Sequence, residues 1–88
     1  MITYGPFRAT LRKRNISQYD LIRYGIDTRT LTRLRRDLPI ETTTLNRLCL
    51  IIGCQPNDII EVVHTMEEID DLKKNRIERK YQKEKELL

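Results

Sequence analysis

The 88-residue sequence predicts an all-α fold of five helices with a charged helical extension at the C-terminal end. Three short segments carry this prediction, because each opens with an isoleucine five positions before a leucine. The segments are Ile16–Leu21, Ile26–Leu31 and Ile40–Leu45. A polar residue follows each isoleucine, which is typical of a helix start held by a hydrophobic staple. Three helices are therefore expected in quick succession.

Residues on either side of these starts set the first two helices. Pro6 suits the first turn of a helix, and the apolar spacing after it predicts helix one over residues 6–14. The outer face of this helix is expected to carry Arg8, Arg12, Lys13 and Arg14. Ser17 can cap a second helix, with Asp20 three residues later, over about residues 18–24.

The third and fourth helices follow from turn residues and caps. Gly25 can take a positive φ where helix two ends, and Asp27 can cap a third helix over about residues 28–36. Pro39 disfavours a helical residue before it. The next apolar pattern has helical period and predicts helix four over about residues 42–52.

The last helix and the tail divide the chain in two. Pro56 is placed to start a fifth helix, which either ends near His64 or continues into the tail. From Met66 onward the chain is highly charged and favours helix, with no Gly or Pro to break it. We therefore expect a compact domain over residues 1–64 and a charged helical tail over 65–88, which continues or follows helix five.

The tail has a loose apolar stripe on its expected helix. The stripe consists of Ile69, Leu72, Ile77 and Tyr81, with Arg76 interrupting it. An interrupted stripe leaves three alternatives open, namely a coiled coil that joins two copies, a solvated helix and a frayed end.

Positive charge is concentrated in the N-terminal half. The net charge is +4, but residues 8–36 hold nine Lys/Arg against two acids, whereas residues 59–88 hold seven basic and eight acidic residues. This distribution suits a face that binds a polyanion. A solvated basic surface without a partner is the alternative.

Few residues offer catalytic or metal chemistry. Cys49 and Cys54 lie five apart, outside any Cys-x-x-Cys or zinc-ligand spacing, and Cys49 is expected to be a buried thiol. The only histidine, His64, and scattered carboxylates provide no nucleophile–base pair. We therefore expect no enzyme activity, metal, cofactor or small-molecule ligand. The free cysteines and the lack of a leader or long apolar run predict a cytoplasmic protein without membrane contact.

Predicted helices two and three form a helix-turn-helix layout. They begin ten residues apart, with Gly25 near the join, and the third is rich in arginine. A helix in the DNA major groove needs long donors and small polar neighbours on its outer face. The candidate base-contacting residues are Thr28, Arg29, Thr32 and Arg33. An arginine-rich solvated helix is the alternative.

Other polar residues are candidates for phosphate contacts, which fix register without reading sequence. Two lie near the end of helix three, and the rest lie at starts of helices two and four, where free amide hydrogens favour anions. These candidates are Gln18, Arg35, Arg36, Thr42, Thr43 and Thr44. Plain helix capping is the alternative for those at helix starts.

Residues 16–60 resemble the phage-repressor (Cro/XRE-type) helix-turn-helix family, in particular the compact regulators of Gram-positive bacteria and their mobile elements. The matching residues are Ser17-Gln18, Leu21, Gly25-Ile26, Thr30-Leu31-Thr32-Arg33-Leu34, Thr44-Leu45, Leu48-Cys49, Gly53-Cys54 and Asp58-Ile59. The resemblance implies a five-helix domain that binds operator DNA, usually as a two-fold dimer, and regulates transcription. By position it also implies that Gln18 contacts phosphate and that Thr28, Arg29 and Arg33 read bases.

The sequence thus predicts a regulator that binds double-stranded DNA sequence-specifically through residues 28–36, with a homodimer as one candidate assembly. The alternative function is a protein-interaction or antitoxin-like adaptor that uses the C-terminal helix.

Overall fold

The computed structural model describes residues 1–74, which form five α-helices and a two-stranded antiparallel sheet around one apolar core to which the first four helices contribute. The elements are β1 (Ile2–Thr3), α1 (Gly5–Lys13), α2 (Gln18–Arg23), α3 (Thr28–Arg35), α4 (Thr42–Ile52), a 3₁₀ turn (Pro56–Asp58), β2 (Glu61–Val62) and α5 (Met66–Lys74). The predicted all-α helix-turn-helix class is confirmed, and the first four helices lie within one residue of their expected bounds.

Helices α2 and α3 begin at the predicted caps. Ser17 and Asp20 form a reciprocal pair, in which the Asp20 amide donates to Ser17 Oγ at 3.1 Å and the Ser17 amide donates to Asp20 Oδ2 at 2.8 Å. Asp27 Oδ1 accepts the Thr30 amide at 2.7 Å. Glu41 precedes α4 without a capping bond from its side chain. The isoleucine before each cap packs on the core, as a hydrophobic staple requires.

Helices α1 to α4 end in the same way. Each is followed by a residue with a left-handed backbone, and these residues are Asn15, Gly25, Asp37 and Gly53. The next amide donates to a carbonyl five residues earlier, in the pairs Ile16 to Leu11, Ile26 to Leu21, Leu38 to Arg33 and Cys54 to Cys49. This is the Schellman bond, which satisfies a carbonyl at the helix end and turns the chain sharply. Short connections therefore join all four helices.

The core lies between these four helices and the segment after the 3₁₀ turn. The buried apolar residues are Tyr4, Phe7, Leu11, Leu21, Ile26, Leu31, Leu34, Leu48, Ile52 and Ile59. Two hydrogen bonds hold α1 against the end of the turn, from Thr10 Oγ1 to the Asp58 carbonyl at 2.8 Å and from the Phe7 amide to the Ile59 carbonyl at 3.2 Å.

The predicted fifth helix from Pro56 is wrong. Only a 3₁₀ turn forms there, and the chain then extends into β2, in which Val62 pairs with Ile2 of β1. The β-branched residues of this segment favour extended structure, and β1 supplies a pairing partner. Ile59 is also completely buried in the core. α5 starts at Met66, so the tail does not continue a helix that begins at Pro56.

The start of α5 lies against the sheet. The Met1 amino group donates to the Val63 carbonyl at 2.7 Å and to the Glu68 carboxylate at 2.9 Å. On α5, Leu72 is exposed and Ile69 is half-buried, while the remaining residues of the predicted stripe, Arg76, Ile77 and Tyr81, lie outside the described residues. Within residues 1–74, no helix has the length and apolar character needed to cross a bilayer.

Candidate nucleic-acid interface

The turn between α2 and α3 is fixed by a contact from α4. Gly25 has φ +96°, and Arg47 Nη2 donates to the Tyr24 carbonyl at 3.3 Å beside it. A Cβ atom at Gly25 would lie 2.9 Å from this Arg47 nitrogen. Glycine is therefore required here by the backbone conformation, and a larger residue would also displace the flexible end of Arg47.

The two faces of α3 differ sharply in exposure. Leu31 and Leu34 are 4% and 0% exposed, and they hold α3 on the core. The opposite face exposes all four residues predicted to contact bases, which are Thr28, Arg29, Thr32 and Arg33. The structure thus brings these four side chains together on one outward surface, which we call the α3 outer face.

Two members of the α3 outer face have hydrogen bonds. Thr32 Oγ1 donates to the Thr28 carbonyl at 3.0 Å, which holds the hydroxyl close to the helix. Arg33 Nη1 donates to the Pro39 carbonyl at 3.1 Å, so this guanidinium bridges α3 and the following loop. Within residues 1–74 the Arg29 guanidinium makes no hydrogen bond or salt bridge, and it extends into solvent.

The predicted phosphate-contacting residues occupy three different helix ends. Arg35 and Arg36 are exposed at the end of α3, and Gln18 is the exposed first residue of α2. The other three predicted phosphate contacts lie at the start of α4, where Thr42 and Thr43 are exposed and Thr44 is half-buried. Thr43 Oγ1 donates to Glu41 Oε2 at 3.2 Å, so its hydroxyl takes part in the polar start of α4.

Three arginines support the scaffold, which sequence reasoning missed. Arg8 Nη1 donates to the Leu34 carbonyl at 3.2 Å, and Arg14 Nη1 donates to the Ile52 carbonyl at 2.7 Å. Together with Arg47, these cations satisfy carbonyls at the ends of α3, α4 and α2, where the helix dipole favours positive charge. Arg8 and Arg14, which were predicted on the outer face of helix one, thus also bond to neighbouring helices. Their partners are 26 and 38 residues away, beyond the reach of local pattern.

The two acids of residues 8–36, Asp20 and Asp27, both cap helices. A hydrogen bond from the Ser17 backbone lowers the pKa of Asp20, and one from the Thr30 backbone lowers the pKa of Asp27. Each carboxylate faces the amide hydrogens of its own helix start, a position that favours negative charge. Neither forms a salt bridge within 4 Å with a basic residue of the described chain.

A family model of the Cro/C1-type helix-turn-helix DNA-binding domain matches residues 7–65. The chain belongs to the Cro/C1-type helix-turn-helix family. The matched range includes most of α1, all of α2 to α4, the 3₁₀ turn and β2, and it ends just before α5. The Cro/C1-type region is thus a DNA-binding domain that contains the α2–turn–α3 unit and its supporting arginines.

A solved structure has the same fold. The crystal structure of the transcriptional regulator VanUg, form II, superposes with a TM-score of 0.67 at 23% sequence identity. The superposition covers 73% of this chain and 87% of the VanUg chain. Comparison with curated proteins gives no match. The Cro/C1-type architecture is therefore supported by both the family model and a structural neighbour.

Proposed function

We propose that this protein is a transcriptional regulator that binds double-stranded DNA sequence-specifically, with α3 in the major groove. The observation that carries the proposal is the two-sided character of α3. Its Leu34 side is completely buried, while its outer face presents two arginines and two threonines to solvent. A helix that enters a groove must be held from behind and polar in front.

Within the α3 outer face, the side-chain chemistry suggests a division of roles. Arg29 and Arg33 can pair bidentately with guanine O6 and N7, and Thr28 and Thr32 can contact a base edge or a thymine methyl group. Because Arg33 bonds the Pro39 carbonyl in the free protein, its base contact requires either a rotated guanidinium or the use of its other donors.

Phosphate contacts would flank the groove-reading helix. Arg35 and Arg36 lie past the outer face at the end of α3, and the amides at the start of α2 beside Gln18 face outward from the helix end. Thr42, Thr43 and Thr44 would provide the corresponding contact from α4. These contacts add affinity for any duplex and fix the position of α3.

We further propose that the protein binds as a homodimer. A two-fold assembly would present two copies of α3 roughly 34 Å apart, which matches successive major grooves on one side of the duplex. The bound DNA would then be palindromic.

Selection of bound fragments from a randomised duplex pool tests the proposal. We expect enrichment of one consensus with two symmetric half-sites, and binding of that consensus that weakens steeply as salt increases. Recovery of unenriched sequence would contradict sequence-specific binding, whereas a consensus without symmetry would contradict the dimer alone.

Two alanine variants separate base reading from phosphate binding. Arg33→Ala should weaken binding to the selected site by about 1–3 kcal/mol and relax its sequence preference, whereas Arg36→Ala should weaken all duplexes alike. Lys73→Ala, which removes a charge from α5, is the matched control and should leave binding unchanged. Thermal unfolding of Arg33→Ala checks that loss of the Pro39 contact has not unfolded the domain. Equal losses on selected and random DNA for both α3 variants would contradict the division.

A protein-interaction or antitoxin-like adaptor is the second candidate. The observation in its favour is the exposed apolar surface near the C-terminal end of the described chain, where Val62 and Met66 are 59% and 73% exposed. An adaptor would bind a protein partner tightly through α5 and bind duplex DNA weakly. The DNA selection therefore also distinguishes the two candidates.

A further inference from the structure

The end of α3 differs from the ends of the other helices in the residue that adopts the left-handed backbone. Glycine takes this position after α2 and α4, and Asn15 takes it after α1. After α3 the residue is Asp37, with φ +55°. Glycine adopts this conformation without steric cost, whereas aspartate adopts it only at a steric cost. Contacts of the Asp37 side chain must therefore compensate for the cost of this backbone conformation.

That side chain joins the end of α3 to the segment before α1. Asp37 Oδ1 accepts the Tyr4 amide at 2.9 Å and the Thr3 hydroxyl at 3.4 Å, and Arg8 Nη2 lies 3.7 Å from it. Asn15, in the same backbone conformation, makes no side-chain hydrogen bond within residues 1–74. Of the two non-glycine residues with left-handed backbone in the described chain, only Asp37 connects two parts of the fold.

Neighbouring contacts strengthen this connection. Tyr4 is 1% exposed, and its hydroxyl donates to the Leu38 carbonyl at 2.8 Å. Arg8, which pairs with Asp37, also donates to the Leu34 carbonyl in the last turn of α3. We call Tyr4, Arg8 and Asp37 the α3 anchor. The anchor holds the C-terminal end of α3, and the cap at Asp27 bonds only within α3 itself.

We propose that Asp37 is a positioning residue for DNA recognition, which sets the angle of α3 through the α3 anchor without touching DNA. This inference rests on the proposed function. Eight residues of helix span about 12 Å, so a tilt of about 5° about one end moves the other end by about 1 Å. Specific contacts need the interacting groups held within about 0.5 Å. Loss of the anchor should therefore weaken base reading more than phosphate attraction.

The test compares three variants on the DNA site selected by the wild-type protein and on random duplex. Asp37→Gly removes the carboxylate but keeps the left-handed backbone, and it should lower affinity for the selected site at least tenfold while affinity for random duplex changes less than twofold. Asp37→Asn keeps an oxygen acceptor for the Tyr4 amide, and it should stay within about threefold of wild type on both. Asn15→Gly is the matched control and should alter neither.

Binding is measured at a temperature at which thermal unfolding curves show every variant to be folded, so that a purely stabilising role of Asp37 would leave affinity unchanged. If Asp37→Gly does not fold, Tyr4→Phe removes only the hydroxyl bond to Leu38, and it should lower the preference for the selected site about threefold. An unchanged preference in the folded variant would overturn the inference. If the wild-type protein selects no sequence, the proposed function itself fails, which is a distinct result.

Discussion

Substitution of Gly25 by alanine should destabilise the helix-turn-helix unit by about 2 kcal/mol. A non-glycine residue held in an unfavourable left-handed conformation costs about 1–3 kcal/mol, and Gly25 has φ +96°. The new Cβ atom would also lie 2.9 Å from Arg47 Nη2 and displace it from the Tyr24 carbonyl, a bond worth about 0.5–1.5 kcal/mol. For a domain of this size, about 2 kcal/mol corresponds to a melting temperature lower by about 8–16 °C.

Thermal and urea unfolding measure this effect, with Gly5→Ala as the matched control. A Cβ atom at Gly5 meets only Thr3 Oγ1 at 3.8 Å, so this change should be neutral or slightly stabilising. Arg47→Ala should cost about 1 kcal/mol in the wild type and almost nothing after Gly25→Ala, because the arginine is already displaced. Equal melting temperatures for the two glycine variants, or additive losses in the double variant, would refute the reasoning.

Two further outcomes follow from the altered pKa values. The pKa values of Asp20 and Asp27 are lowered in the folded state, so the stability that these carboxylates add is complete above the usual value of 3.8 and is lost as pH falls through the lower folded values. Changing both residues to asparagine should therefore flatten the acid side of a plot of melting temperature against pH. An unchanged slope would contradict this. Burial and, to a smaller degree, the neighbouring Cys49 thiol raise the pKa of Cys54 to about 11. The rate of Cys54 alkylation, followed by peptide mass spectrometry, should therefore keep rising about tenfold per pH unit through pH 10. A plateau of this rate near pH 9 would contradict the raised pKa.

Local signals in the sequence were sufficient to predict helices α2 to α4. The caps at Ser17 and Asp27 and the left-handed residue Gly25 act within six residues of each helix end, so their spacing is visible in the chain. The segment after Pro56 was mispredicted because its outcome depends on a partner. An apolar run that follows a proline favours a helix, but pairing of Val62 with Ile2 of β1 stabilises a strand instead.

For the candidate interface, too, only the features set by local spacing could be predicted from the sequence. Exposure of Arg29 and Arg33 follows from the helical period, which places Leu31 and Leu34 on the opposite side. The role of Asp37 could not be predicted, because its partner Tyr4 is 33 residues away and the Asp37-Leu38-Pro39 stretch looks only like a helix break. Charge content likewise gave no means of separating scaffold arginines from solvent-facing ones.

That separation limits how many phosphates one protomer can neutralise. In the described chain, Arg8, Arg14, Arg33 and Arg47 donate to backbone carbonyls. Six basic residues of the N-terminal half make neither a side-chain hydrogen bond nor a salt bridge within residues 1–74, namely Arg12, Lys13, Arg23, Arg29, Arg35 and Arg36. If all six neutralised phosphates, the logarithm of the binding constant would fall with the logarithm of salt concentration with a slope of about −5 per protomer. A titration from low to moderate salt with the selected duplex measures this slope. A steeper value per protomer would mean that the carbonyl-bound arginines leave the scaffold, or that residues beyond 74 also bind the duplex.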